Sequence, residues 1–81
     1  MRLPRDLGGV ELAVLLSRYG YRVTRQTGSH MRLTTAQRGE HHVTIPSHST
    51  LRVGTLSAIL TDVAVHLQIS RQELMQELFG K

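Results

Sequence analysis

The sequence predicts an α+β two-layer sandwich: a helix, a three-stranded antiparallel sheet, a second helix and a short C-terminal helix. Three observations predict it. Apolar residues recur at helical spacing from Leu12 to Tyr19 and again from Leu56 to Leu67. Between those stretches, apolar and polar residues alternate in three short runs separated by turn residues. The chain has 81 residues, enough for one domain over 1–81 with a core over about 6–79, and too few for a second core. Helices segregated in sequence from a small antiparallel sheet cover one of its faces and leave the other open.

The elements follow in order. Gly8-Gly9 is a permissive helix start, and Leu12, Leu15, Leu16 and Tyr19 form the buried stripe of a helix over 9–19. Gly20 ends it. In the first strand, Tyr21, Val23 and Arg25 are expected on one face, with Arg22, Thr24 and Gln26 on the other. Thr27-Gly28-Ser29 is a turn, after which Met31 and Leu33 alternate with His30, Arg32 and Thr34 in strand two. A second turn at Gln37-Arg38-Gly39-Glu40 leads to strand three, with Val43 and Ile45 inward and Pro46 as its end. Residues 47–53 read as a loop, and Gly54-Thr55 as the start of the second helix with Thr55 as its cap. Leu56, Ile59, Leu60, Val63, Ala64 and Leu67 give this helix the cleanest periodicity in the chain. Ser70 and Glu73 have the spacing of a capping box before a last short helix carrying Leu74, Met75, Leu78 and Phe79.

Composition narrows the function. There is no cysteine, which removes disulfides, thiolate metal sites and cysteine nucleophiles. Without cross-links a chain this short gains on the order of 3–5 kcal/mol from its core. No apolar run approaches the ~18–20 residues of a membrane helix, and Met1 to Asp6 carry no secretory hydrophobic stretch. The expected setting is the cytoplasm, with no membrane partner. The formal net charge is +4, and nine of the ten basic residues are arginine, whose forked guanidinium grips phosphate. A polyanion partner, most often nucleic acid, is expected. The alternative is a solvated basic surface.

The chemistry available is that of histidine and arginine. The carboxylates Asp6, Glu11, Glu40, Asp62, Glu73 and Glu77 form no joint motif of the two-metal nuclease kind. No glycine-rich phosphate loop and no interior lysine are present. His30 follows the Gly28-Ser29 turn on the polar face of strand two, and His48 lies two residues past Pro46. Either could be a solvated polar residue or a general acid–base. RNA carries its own nucleophile, the 2′-hydroxyl, so a histidine base, an acid and nearby cations suffice to cut it. Arg22, Arg25, Arg32, Arg38 and Arg52 fall on or near the sheet and its exits, as a phosphate track or a solvated face. The Gly54-Thr55 helix start offers backbone N–H groups to a phosphate. His41 and His42, as adjacent strand residues, face opposite sides and make a poor metal pair. His66 reads as a boundary core residue. With three aromatics in all, base stacking is a weak theme.

Several motifs resemble those of one family. Gly20-Tyr21 with Arg25-Gln26-Thr27-Gly28-Ser29-His30, then Val43-Thr44-Ile45-Pro46-Ser47-His48, then Gly54-Thr55-Leu56 with Ile59-Leu60, are similar in order and spacing to the HicA, or YcfA-like, toxins. The ending from Ile69-Ser70 to Leu78 follows the same pattern. The resemblance implies a fold like the double-stranded-RNA-binding domain. It also implies an mRNA interferase, the toxin of a type II toxin–antitoxin pair, masked by a HicB-like antitoxin; with no metal-ligand motif in the residues, the expected activity is a metal-independent endoribonuclease. The resemblance places the catalytic histidine on His30, presented by the Gly28-Ser29 turn, and a second histidine on His48. Arg22, Arg25, Ser29, Arg32, Arg52 and Thr55 are then the expected RNA contacts, with no metal and no small-molecule cofactor. The competing reading is a module that binds double-stranded RNA by shape without cutting it. The chain departs from the family pattern in Gly8-Gly9, where serine often precedes glycine, and in carrying arginine where lysine is frequent.

Overall fold

The computed structural model describes residues 3–80. Its order is α1 (Gly9–Leu16), one turn of 3₁₀ helix (Ser17–Tyr19), β1 (Arg22–Thr27), β2 (His30–Thr35), β3 (His41–Pro46), α2 (Val53–Leu67) and α3 (Arg71–Phe79). The strands form one antiparallel sheet in the order β1-β2-β3. The helices pack on one face of it. Leu12 and Leu16 of α1, Met31, Leu33, Val43 and Ile45 of the sheet, Leu56, Leu60 and Val63 of α2 and Leu74 of α3 share one apolar core. This is the α+β architecture expected from the hydrophobic periods.

The first strand departs from expectation. All six residues of β1 are exposed, and Val23 keeps 48% of its surface. The buried side chain of this segment is Tyr21, immediately before the strand. β1 is one of the two edge strands, and the helices bury the inner faces of β2 and β3 instead. The register also shifts. Val23 pairs with Leu33 but Arg25 with Arg32, so Thr24 is an extra, bulged residue. The bulge turns Arg25 to the open face, where strict alternation had set it beside Val23.

Two boundaries move as well. α2 starts at Val53 with Arg52 as its extended cap residue, three positions before the expected cap Thr55, so Thr55 lies inside the first turn. Buried Leu51, whose N–H donates to the Leu7 carbonyl at 2.8 Å, anchors the chain ahead of that start. Pro46 remains in β3, paired with His30, because β3 is an edge strand and the missing N–H costs the ladder nothing there. The expected cap of α3 is present: Ser70 Oγ accepts the Glu73 N–H at 2.9 Å.

α1 meets the end of β3 at backbone contact. A Cβ on Gly9 would lie 1.9 Å from the Pro46 carbonyl oxygen, so only glycine fits. The Gly9 N–H donates to the His48 carbonyl at 2.9 Å. The first turn of α1 therefore holds the strand-three exit in place. Glu11 completes that turn by accepting the Gly8 N–H at 2.8 Å.

Candidate active site on the open sheet face

The outer face of the sheet is polar along its whole length. Arg22, Thr24, Arg25 and Thr27 of β1, His30, Arg32 and Thr34 of β2, and His42 and Thr44 of β3 share it by register. The turn at one end is set by Gly28, whose φ of 53° is the positive value needed at the first position of a two-residue hairpin loop. It brings Thr27 opposite His30. On the other side the Ser29 carbonyl accepts the Ser47 N–H at 2.7 Å, which carries the β2–β3 pairing past the strand ends. His30 thus begins the central strand, held from both sides by backbone pairing while its side chain is exposed.

His30, Arg25, Arg32, Thr27 and Thr44 line a shallow depression of about 230 Å³. Arg25 and Arg32 are direct cross-strand partners, and both line the depression that holds His30. Like charges opposite each other are unfavourable in a sheet. An anion between them relieves that repulsion. Among the described residues, neither arginine makes a side-chain hydrogen bond or ion pair, and His30 makes none either. Other arginines are tied down: Arg18 to the Glu77 carbonyl, Arg38 to Gln68 Oε1 at 2.8 Å, and Arg71 to Ser57 and Thr61.

The remaining expected site residues spread outward. Arg22 lies on the same face toward the other end, in a separate depression. Ser29 sits in the turn beside His30. His48 is exposed on the loop after β3 and does not line the depression that holds His30; its carbonyl is bound by α1. Arg52 and Thr55 belong to the start of α2. Thr27 and Thr44 were missed from sequence; the inward Val43 and Ile45 mark Thr44 as outward, whereas Thr27 reaches the open face only through the bulge at Thr24. No group of three histidine or acidic side chains among the described residues is placed to hold a metal ion.

The other histidines are engaged. His41 faces the helices. Its Nε2–H donates to Asp62 at 3.1 Å, leaving Nδ1 to accept the Tyr21 hydroxyl at 2.7 Å. Its ring stacks on His66 at 4.3 Å, and His66 Nε2 donates to the Gln37 carbonyl at 2.9 Å. Burial, with Asp62 nearby, pushes the Tyr21 hydroxyl up to about 12. His42 points to the open face, opposite in sense to His41, as adjacent strand residues must.

The comparisons with known proteins bear on this geometry. The family model described as the HicA toxin of bacterial toxin–antitoxin matches residues 9–65, from the start of α1 to near the end of α2. The chain belongs to the HicA toxin family. Neither the curated proteins nor the solved structures give a match. The matched span contains the whole sheet, the His30 depression and the His48 loop. HicA membership makes the chain a toxin, of a family that is generally ribonucleolytic, and implies an antitoxin partner. No single helix among the described residues is long and apolar enough to cross a membrane.

Proposed function

We propose that this HicA-family protein is a metal-independent endoribonuclease that cuts mRNA at the open sheet face, with His30 as general acid–base. The observation that carries the reading is an exposed His30 that shares one depression with Arg25 and Arg32, none of the three side chains having a partner among the described residues. In the proposed step, the neutral His30 ring takes the proton of a ribose 2′-hydroxyl. The 2′-oxygen then attacks the adjacent phosphorus. The bond to the 5′-oxygen breaks, and the leaving oxygen receives the proton from the imidazolium. The products are a 2′,3′-cyclic phosphate and a 5′-hydroxyl. Arg25 and Arg32 stabilise the charge that builds on the phosphoryl oxygens. The chain's own carboxylates and histidines are scattered or paired with one another, which favours a route that needs no metal from them.

Arg22, Ser29, Arg52 and Thr55 extend the RNA track from this centre. His48, outside the depression, plays the smaller part of the two histidines. A HicB-like antitoxin, acidic where it meets the arginines, would mask the site in the cytoplasm and stabilise a small fold by mass action.

The test is cleavage of a long mRNA in EDTA by wild type, His30→Ala and His48→Ala. His30→Ala should lose roughly 10²–10⁴-fold of the rate, the usual range for one acid–base group. His48→Ala should lose less. Cleavage by His30→Ala at the wild-type rate sinks the assignment. A wild-type protein that shifts RNA on a gel and leaves it intact supports the binding module instead.

A further inference from the structure

The open face carries a second concavity that the cleavage step does not use. It has a volume of about 480 Å³ and lies toward the β2–β3 turn, among Arg22, Thr24, Thr34, Gln37 and Glu40. Thr34 is four residues along β2 from His30, roughly 13 Å at the usual strand rise. A directed chain of polar groups runs beside it. Glu40 Oε2 lies 3.0 Å from His42 Nε2, His42 Nδ1 lies 2.8 Å from Thr34 Oγ1, and Thr34 Oγ1 lies 2.8 Å from Thr24 Oγ1.

The carboxylate decides the polarity of this chain. It can only accept, so when the His42 ring is neutral its Nε2 carries the proton and Nδ1 is an acceptor. The Thr34 hydroxyl must then donate to Nδ1. Its proton is committed, and Thr24 is left to donate to Thr34 Oγ1 or to the Arg32 carbonyl, which lies 3.3 Å away. Both protons are thus used within the sheet, and the threonine oxygens present lone pairs to the concavity. Arg22 has no hydrogen bond or ion pair among the described residues and brings donors to the same place. An acceptor for a hydroxyl thus stands beside a cation for a phosphate.

We propose that this concavity is a ribose-reading subsite, holding a nucleotide that flanks the cut. Arg22 grips its phosphate, and the Thr24 and Thr34 oxygens accept its 2′-hydroxyl. Glu40 and His42 act as positioning residues by setting the proton direction. The 2′-hydroxyl is the group by which a protein tells RNA from DNA at a given position. The subsite rests on the nuclease reading for its place beside a cut, and adds a second point at which ribose is required. The bulge at Thr24 turns Arg25 onto the same face, so this concavity and the His30 depression share the open side of the sheet.

The experiment measures binding, so that its outcome is separate from cleavage. In a His30→Ala background, the affinities of a short labelled single-stranded RNA and a DNA of the same sequence are compared by fluorescence anisotropy. The expected RNA preference is about fivefold, the worth of one net hydrogen bond. Thr24→Val keeps the β-branched shape at an exposed strand position and should abolish the preference. His42→Ala frees the Thr34 proton and should reduce it. An unchanged preference in Thr24→Val, or none in the parent protein, overturns the subsite. Loss in Thr24→Val without any change in His42→Ala overturns the positioning role. Failure of wild type to cut mRNA sinks the nuclease and leaves this result readable.

Discussion

The two faces of β2 are made from alternate residues of one six-residue strand and have opposite fates. Met31, Leu33 and Thr35 turn to the helices and retain 3%, 0% and 1% of their surface. His30, Arg32 and Thr34 turn outward, where Arg32 and His30 make no side-chain bond among the described residues. The same division separates the histidines. His41, on the helix side, uses both ring nitrogens and one ring face to join Tyr21, Asp62 and His66. His30, on the open side, has neither nitrogen bonded among the described residues. Both His41 nitrogens are bonded to protein groups, so neither is open to a substrate. Free groups are affordable here because they sit in water, where an unpaired donor has solvent to bond.

That contrast can be broken in steps. The largest effect is expected from Leu33→Ala. Truncation of a fully buried leucine costs about 2–5 kcal/mol, comparable with the whole stability expected of so small a core. Circular dichroism should find it largely unfolded. Arg32→Ala, one residue earlier and on the other face, should melt within about 0.5 kcal/mol of wild type yet bind RNA more weakly. A shared loss of stability would mean that the open face also supports the fold.

Next comes His41→Ala. It strands the buried Tyr21 hydroxyl, at a cost of about 1–3 kcal/mol. His30→Ala should leave the melting temperature unchanged, so the two histidines should trade places between a melting curve and a cleavage assay. The smallest effect is alkaline. The Tyr19 and Tyr21 hydroxyls are each pushed from 10.0 to about 12, chiefly by burial, with Glu77 bonded to the first and Asp62 near the second. The folded state therefore holds these protons more tightly than the unfolded one. Their contribution is complete below pH 10 and is lost as pH rises toward about 12. Melting temperatures taken across that window should fall, and Tyr21→Phe should flatten the slope.

Much of this molecule was legible in its residues. The alternation of Met31 with Leu33 and of Val43 with Ile45 assigned the core face of two strands correctly. The periodicity from Leu56 to Leu67 placed α2, and the Ser70–Glu73 spacing its successor. The Gly28-Ser29 turn put His30 at the head of a strand on the polar side. β1 was misread because alternation reports which side of a strand is apolar, and says nothing of whether a helix covers it. The start of α2 was misread because Arg52 caps by backbone conformation alone, with no side-chain signature.

The sequence by itself determined the class of fold, the order of its elements, the inward residues of the two covered strands and the position of His30. Those follow from local periodicity, turn chemistry and charge, which are properties of neighbours in the chain. Only the tertiary structure decided which groups meet. The bulge at Thr24 moved Arg25 across the sheet to face Arg32, and packing joined Tyr21 to His41 and Asp62 while leaving His30 exposed. A single inserted residue reverses the side of everything beyond it, because side chains along a strand alternate with a period of two. That reversal depends on pairing with another strand, so one run of letters cannot carry it.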